Sequence, residues 1–270
     1  MTLNTLTSPP DLTGLRAVVT GAGSGIGAAL ARRLATCGAS VMVNDLDADR
    51  AARVAAEIGA AVVAGDAASD EGAGELVAAA IADLGGVDLF CANAGVPTAG
   101  GPETTDAEWQ QAWTVNVMGH VHAARHLLPG WLERGRGHFL ATVSAAGLLT
   151  MPGAAPYAVT KHAALAFAEW LALTYGDRGV RVQALCPQGV RTPMLSRLGP
   201  LGQGLLGPAS ISPERVAEVA VSALDQPQFL VLPHPEVARF YAGRAADTDA
   251  WLAGMRRLVA RVEAEAPSGE

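Results

Sequence analysis

The sequence predicts a doubly wound α/β fold, a parallel sheet of about seven strands covered by helices on both faces. Two observations carry this. Short, nearly continuous apolar runs alternate along the chain with Ala-rich stretches of helical length. Apolar runs of that kind belong to strands buried on both faces, joined by right-handed helical crossovers. No internal repeat, low-complexity tract or linker interrupts the alternation. The chain therefore reads as one domain, with a core over about residues 12–232 and a helical extension over about 234–265. In such a sheet, ligands bind at the carboxyl ends of the strands.

The elements follow in order. Arg16–Thr20 (RAVVT) reads as the first strand and Ile26–Cys37 as the first helix. Ser40–Asn44, Ala61–Ala64 and Val87–Ala92 read as strands, separated by helices over Asp47–Ile58 and Asp70–Leu84. Thr105–Leu132 is a long helical region with a break expected near Pro129. Gly137–Val143 and Val180–Cys186 are strands flanking a helix over Ala155–Tyr175, and Phe229–Leu232 is the last strand. Met194–Ser212 (MLSRLGPLGQGLLGPASIS) breaks the rhythm and reads as a long loop of the kind that serves as a lid. In the tail, Trp251, Leu252, Met255, Leu258 and Val259 recur at helical spacing.

Composition excludes several functions. Half of the 270 residues are apolar, 17% are charged, and mean hydropathy is +0.25. That is too apolar for a disordered chain. The net charge of −7 lacks the basic footprint of a nucleic-acid binder. No uninterrupted apolar run is long enough for a membrane span, and the N-terminus carries no basic-then-apolar secretion signal. Cys37, Cys91 and Cys186 are scattered without a CxxC spacing, so neither a disulfide framework nor a zinc site is expected. A cytoplasmic location follows as the default. Of 19 basic residues 18 are arginine, and the single lysine is Lys161.

The first strand runs into Thr20-Gly21-Ala22-Gly23-Ser24-Gly25-Ile26-Gly27 and then into a helix. Glycine allows a tight turn and a close approach by a pyrophosphate, and a helix N-terminus offers free N–H groups to it. The spacing is G-x-x-x-G-x-G rather than the usual G-x-G-x-x-G, and a ligand-free strand–helix turn is the bland alternative. Asp45 lies 18 residues past Gly27, close to the offset of about 20 for an acid that binds the adenosine ribose. A carboxylate there accepts from ribose hydroxyls and repels a 2′-phosphate. Leu46 rather than a base follows it, and the loop carries Ser24. Both favour NAD over NADP in a Rossmann-type site. The bland role for Asp45 is to cap the next helix, which Asp47 can do instead.

Tyr157 and Lys161 are four apart on a helix and share a face. An ammonium beside a phenol stabilises the phenolate and makes tyrosine a usable acid/base near neutral pH. Tyr-x-x-x-Lys is common by chance, but a lysine in so arginine-rich a chain is not. Ser144 ends a strand thirteen residues before Tyr157, where its hydroxyl can hold a carbonyl. Together, Thr20–Gly27, Asp66-Ala67, Asn93-Ala94-Gly95, Asn116, Ser144, Tyr157–Lys161 and Pro187–Thr192 resemble the short-chain dehydrogenase/reductase family over roughly Leu12 to Leu232. The resemblance implies that Tyr157 is the general acid/base and that Lys161 lowers its pKa and holds the nicotinamide ribose. It implies that Ser144 orients the substrate oxygen and Asn116 supports a proton-relay water. Gly21, Ser24, Gly25, Ile26 and Gly27 would hold the phosphates, Asp66 and Ala67 the adenine, and Asn93, Ala94 and Gly95 its ribose. Pro187, Gly189, Val190 and Thr192 would hold the nicotinamide end.

Two departures from the family pattern stand out. Gln188 replaces a glycine after Pro187, either to bond a substrate or merely to fit the turn. The tail beyond Pro233-His234-Pro235 either covers an apolar edge or acts as a lid. Ala146, Leu148, Leu149, Met151, Met194, Leu195 and Leu198 suggest an apolar substrate pocket with Gln188 at its mouth and no obvious charge. The expected reaction is therefore NAD-dependent interconversion of a hydrophobic, cyclic or aromatic, secondary alcohol and its ketone. The alternatives are an NADP-type 3-ketoacyl or carbonyl reductase and a non-catalytic NAD sensor or scaffold. No metal is expected. His120, His122 and His126 share a helix without a third ligand, and Trp109 and Trp113 mark a helix interface or a subunit contact. The resemblance implies a homo-oligomer, a dimer or tetramer.

Overall fold

A computed structural model describes residues 10–265. Seven strands form one parallel sheet in the order β3-β2-β1-β4-β5-β6-β7. They are β1 (Arg16–Val19), β2 (Ser40–Asp45), β3 (Ala61–Ala64), β4 (Leu89–Ala92), β5 (Gly137–Thr142), β6 (Val180–Leu185) and β7 (Leu230–Val231). The order reverses between β1 and β4, which opens a crevice at the carboxyl ends of those two strands.

Helices α1 (Gly25–Thr36), α2 (Ala48–Ile58) and α3 (Asp70–Leu84) occupy the first crossovers. Asp47 caps α2 by accepting from the Arg50 N–H at 3.0 Å, and Ser69 caps α3 through the Gly72 N–H at 3.0 Å. Gly59 and Gly85 end these helices at φ +63° and +77°, a left-handed geometry in which only glycine is unstrained.

The long helical region is divided into α4 (Asp106–Trp113), a π turn at Thr114–Met118, and α5 (Gly119–Arg134). The expected break at Pro129 is corrected by this. Pro129 lies on the exposed side of α5, where the carbonyl that its missing N–H leaves free is open to solvent. The actual irregularity surrounds Asn116. α6 (Ala146–Leu149) is a single turn, and α7 (Ala155–Tyr175) runs beside β5 and β6.

The expected loop over 194–212 also needs correction, because it contains α8 (Pro193–Ser196) and α9 (Pro200–Leu206), each opened by a proline in its first turn. α10 (Pro213–Ser222) returns to pack on α1. The tail forms two helices, α11 (Glu236–Ala246) and α12 (Thr248–Glu265).

Apolar side chains divide into two cores, one on each face of the sheet. On one face, Leu30 and Leu34 of α1 meet Val216 and Ala220 of α10 over β1 and β2. On the other, α3, α5, α7 and α11 cover Phe90 and Phe139, whose rings stack at 6.0 Å. Trp131 is fully buried there, donates to the Val87 carbonyl at 2.7 Å and occupies the space over Gly137 that any Cβ would take. With both faces filled, the open strand ends are where a ligand can enter.

Candidate active site

The loop after β1 turns at Gly21 (φ +62°) and Gly25 (φ +54°) and delivers the chain into α1. Ser24 stands at the cap position but makes no capping bond, and the first turn of α1 holds no acid. The free N–H groups and positive end of the helix are therefore left for an anion. Gly27 faces backwards, where a Cβ would overlap the Gly21 carbonyl, so it acts by packing and does not line the cavity. The loop is pinned to β4. Thr20 Oγ1 accepts from the N–H groups of Asn93 and Ala94, each at 3.0 Å, and Asn93 Nδ2 donates to the Thr20 carbonyl at 3.0 Å.

Asp45 ends β2 with its side chain turned back on this loop. Its Oδ2 accepts from the Gly23 N–H at 2.9 Å and its Oδ1 from the Asp47 N–H at 3.0 Å. A Cβ at Gly23 would lie 2.8 Å from that carboxylate and 2.7 Å from the Arg50 Cβ, so only glycine fits. Asp47 takes the capping role, which leaves Asp45 free for a ligand. Arg50 was not foreseen beside it. Its Nε is 2.9 Å from Asp47 Oδ2 and its Nη2 is 4.0 Å from Asp45 Oδ1.

The end of β5 and the start of α7 bring Ser144, Tyr157 and Lys161 together at the other end of the site. Lys161, 3% exposed, donates from Nζ to the Thr142 carbonyl at 2.9 Å and lies 5.7 Å from the centroid of the Tyr157 ring. Burial pulls the Lys161 ammonium down to about 8. Burial also pushes the Tyr157 phenol up, while a hydrogen bond with the Ser144 side chain draws it back down. Ser144 sits at φ +143°, a strained backbone for a residue with a Cβ, and strain of this kind gathers at functional sites. Its Oγ accepts from the Ala146 N–H at 3.1 Å. Asn116, fully buried, bonds the Val96 backbone in both directions, at 2.9 and 3.1 Å, and donates to Thr160 at 3.1 Å. Its side chain thus ties the π turn to the loop after β4 and to α7, outside the cavity wall.

One cavity of about 770 Å³ joins these parts. It runs from Asp45 and Asp66 past Gly21, Ser24, Gly25, Ile26, Ala67, Asn93, Ala94 and Gly95 to Ser144, Tyr157 and Lys161. Pro187, Gly189, Val190 and Thr192 also line it. So do the expected pocket residues Ala146, Met151, Gln188, Met194, Leu195 and Leu198. Leu148 does not. The single turn of α6 directs Leu148 into the core at 1% exposure and gives Leu149 to the cavity. Arg197, at the end of α8, also lines the cavity, which corrects the expectation of an uncharged pocket.

The three histidines do different things. His122 Nδ1 bonds the Ala68 carbonyl at 2.8 Å, and His126 Nε2 lies 3.2 Å from Asp70 Oδ1. His120 is buried with both ring nitrogens unpartnered, and burial drops it to about 3. Among the described residues no group of three or more His, Cys, Asp or Glu side chains could hold a metal. Likewise, no described helix is long and apolar enough to cross a membrane.

The family model for short chain dehydrogenases matches residues 16–200, which span the phosphate loop, Ser144, Tyr157 and Lys161. The chain belongs to the short-chain dehydrogenase/reductase family. A short-chain dehydrogenase/reductase from Burkholderia phymatum, solved in complex with NAD, superposes with a TM-score of 0.81 at 29% identity. The match covers 89% of this chain and 96% of that one. The 1-deoxy-11-beta-hydroxypentalenate dehydrogenase of Streptomyces exfoliatus is 41% identical over 230 residues, 82% of this chain and 83% of that protein. The 2,5-dichloro-2,5-cyclohexadiene-1,4-diol dehydrogenase of Sphingobium indicum is 38% identical over 192 residues, 69% of this chain and 77% of that protein. As a member of the short-chain dehydrogenase/reductase family, the protein is an oxidoreductase that binds a nicotinamide cofactor. The uncapped α1 terminus, the closely packed glycines and the long cavity fit such a dinucleotide.

Proposed function

We propose that the protein interconverts an apolar cyclic secondary alcohol and its ketone with NAD, using Tyr157 as general acid/base. The observation that carries this reading is the run of one cavity from the Asp45 carboxylate to the Ser144–Tyr157–Lys161 cluster. Asp45, fixed by the Gly23 N–H, accepts from the ribose hydroxyls and repels a 2′-phosphate. Arg50 is turned to Asp47 and leaves that carboxylate dominant, which supports NAD over NADP. The cofactor supplies hydride acceptance and donation when bound. Tyr157 takes the hydroxyl proton in oxidation and returns it in reduction, and Ser144 holds the substrate oxygen. Lys161, which keeps its proton below a pH of about 8, places its charge beside the Tyr157 ring. Asn116 keeps the loop after β4 and α7 in register behind them.

Leu149, Met151, Met194, Leu195 and Leu198 give the substrate end an apolar wall. The two relatives are named for a hydroxylated pentalenate and a cyclohexadiene diol, which supports a ring-borne hydroxyl as substrate. One observation favours a narrower version, a ring alcohol that carries an acidic group. Arg197 lies in the wall of the substrate end and forms no ion pair among the described residues. The proposed assembly is a cytoplasmic homo-oligomer.

The test is absorbance at the NADH band with NAD or NADP and a panel of cyclic secondary alcohols, with and without a carboxylate, beside Tyr157→Phe. NADH formation that Tyr157→Phe abolishes supports the reading. Turnover of polar sugars but not ring alcohols overturns the substrate class, and preference for NADP overturns the role of Asp45.

A further inference from the structure

His234 is the residue that nothing in the proposed chemistry uses and that the fold nonetheless buries. It follows β7, between Pro233 and Pro235, and is 2% exposed. Its Nδ1 accepts from the Gln188 N–H at 3.1 Å, across 46 residues of sequence. A ring nitrogen that accepts carries no proton, so the imidazole is neutral with its hydrogen on Nε2. Burial holds His234 below the ordinary histidine value and favours this state, while Glu236 and the backbone at Ala209 and Gly189 pull the other way.

Those backbone neighbours matter for what hangs on the ring. Gln188 and Gly189 begin the segment after β6. The Gly189 carbonyl accepts from the Ile211 N–H at 3.0 Å, and the Arg191 N–H donates to the Ile211 carbonyl at 2.9 Å. The segment is thereby joined to the base of the lid. A Cβ at Gly189 would overlap the Leu206 carbonyl at the end of α9. His234 thus stands where three pieces meet: the cavity segment 187–192, the segment around Ala209 and Ile211 that is joined to it, and the C-terminal extension, whose first helix begins at Glu236. The only side-chain hydrogen bond into the Gln188–Gly189 backbone among the described residues comes from this ring.

We infer that His234 is a positioning residue for the nicotinamide end of the cofactor, fixing the Gln188–Val190 backbone through its Nδ1. The inference rests on the proposed reading, in which residues 187–192 hold the nicotinamide. The imidazole accepts from the peptide N–H of Gln188, a residue that lines the cavity.

The experiment compares two probes that share the adenosine half. NADH carries the nicotinamide, and ADP-ribose lacks it. Affinities are measured by calorimetry for the wild type, His234→Phe and His234→Asn, with folding checked by circular dichroism. Phe keeps the ring volume and removes the acceptor. Asn carries an amide oxygen near the place of Nδ1. Loss of the bond leaves the half-buried Gln188 N–H without its partner and the segment less fixed, so His234→Phe is expected to bind NADH about tenfold more weakly. ADP-ribose affinity is expected to stay at the wild-type value, and His234→Asn to recover most of the NADH loss. Equal losses for both probes would mean a merely structural residue and overturn the inference. Unchanged NADH binding in His234→Phe would overturn it as well. Failure of the wild type to bind either probe would instead sink the cofactor reading itself, and the inference with it. Should His234→Phe not fold, His234→Leu offers the same comparison with a smaller apolar side chain.

Discussion

Lys161 donates its ammonium hydrogen to the Thr142 carbonyl at 2.9 Å, at the base of a wall whose next turn carries the Tyr157 ring. The bond sets the direction of the only lysine in the chain, and burial makes its charge costly. Folded, Lys161 titrates at about 8, against an ordinary value of 10.5. A lysine with a depressed folded value destabilises the fold below that value and ceases to do so as pH rises through the unfolded one. Lys161→Met is therefore expected to lose at least a hundredfold in kcat and yet to melt higher than the wild type at pH 7. The stability gain, on the order of 3 kcal/mol as an upper bound, should shrink between pH 8 and 10.5. Thermal melts across that window check it. An Lys161→Met protein that is less stable at pH 7 would show that the Thr142 bond outweighs the buried charge.

Tyr157→Phe should leave NAD binding intact and reduce alcohol oxidation by roughly 10²–10⁴-fold, the usual worth of a general base. Burial raises the Tyr157 phenol, so wild-type oxidation should climb with pH through the alkaline range as the phenolate forms. Ketone reduction needs the protonated form and should fall over the same range. Rate profiles in both directions would reveal this, and an oxidation profile flat in pH would contradict the role of Tyr157.

The 2.9 Å bond from the Gly23 N–H to Asp45 leads to a cofactor prediction. Asp45→Ser removes the negative charge and leaves Arg50 next to the ribose position. NAD should then lose roughly tenfold or more in kcat/KM, worth about 1.4 kcal/mol per tenfold, while NADP gains. Gly23→Ala, which forces a Cβ to 2.8 Å from Asp45 Oδ2, should weaken NAD without improving NADP. Kinetics with both cofactors separate the two effects.

Acid should unfold the protein through His120 and His138. Burial lowers them to about 3 and about 4, so the unfolded chain binds protons first as pH falls below 6.5. Stability should drop from pH 6.5 towards 4. His120→Phe, which keeps an aromatic edge against Phe139, should remove about one proton from the slope. Urea melts at several pH values would measure it.

The tail settles on both sides of the substrate end. Val262 of α12 sits over Gly204 of α9, and Arg244 of α11 donates to the Leu148 carbonyl beside the pocket. Trp251 packs on Phe240 at 6.3 Å against the core. α11 thus covers an apolar edge, the first of the two readings of the tail, and α12 packs on α9. Truncation after Asp247 should raise KM for the alcohol several-fold and leave KM for NAD nearly unchanged. An equal rise in both would argue that α12 only stabilises the fold.

Much of this was legible in the chain, for a physical reason. The sheet announces itself through apolar runs, and the glycine loop, Asp45, Ser144, Tyr157 and Lys161 each lie next to a strand end or on one helical face. What stayed hidden depends on contacts distant in sequence or on single-residue phase. The π turn at Asn116 carries no periodic signal, and a proline nearby offers a misleading one. That Leu149 lines the cavity and its neighbour Leu148 does not turns on about 100° of rotation in one helical turn. Arg50 reaches Asp45 only because Gly23 lets the loop approach α2. His234 meets Gln188 across two elements, and the histidine itself looks like part of a proline-rich turn.

The lone lysine gives the protein an unusual chemical handle. Reagents that modify primary amines find, besides the chain's α-amino group, a single ε-amino group, and it is 3% exposed. Acylation of the intact protein should therefore be slow beyond one adduct, and a second should appear only as the buried Lys161 amine becomes reachable. Counting adducts by intact mass turns ordinary amine labelling into a gauge of how accessible Lys161 is. Loss of the second adduct on adding a cofactor would map its occupancy without any assay of turnover.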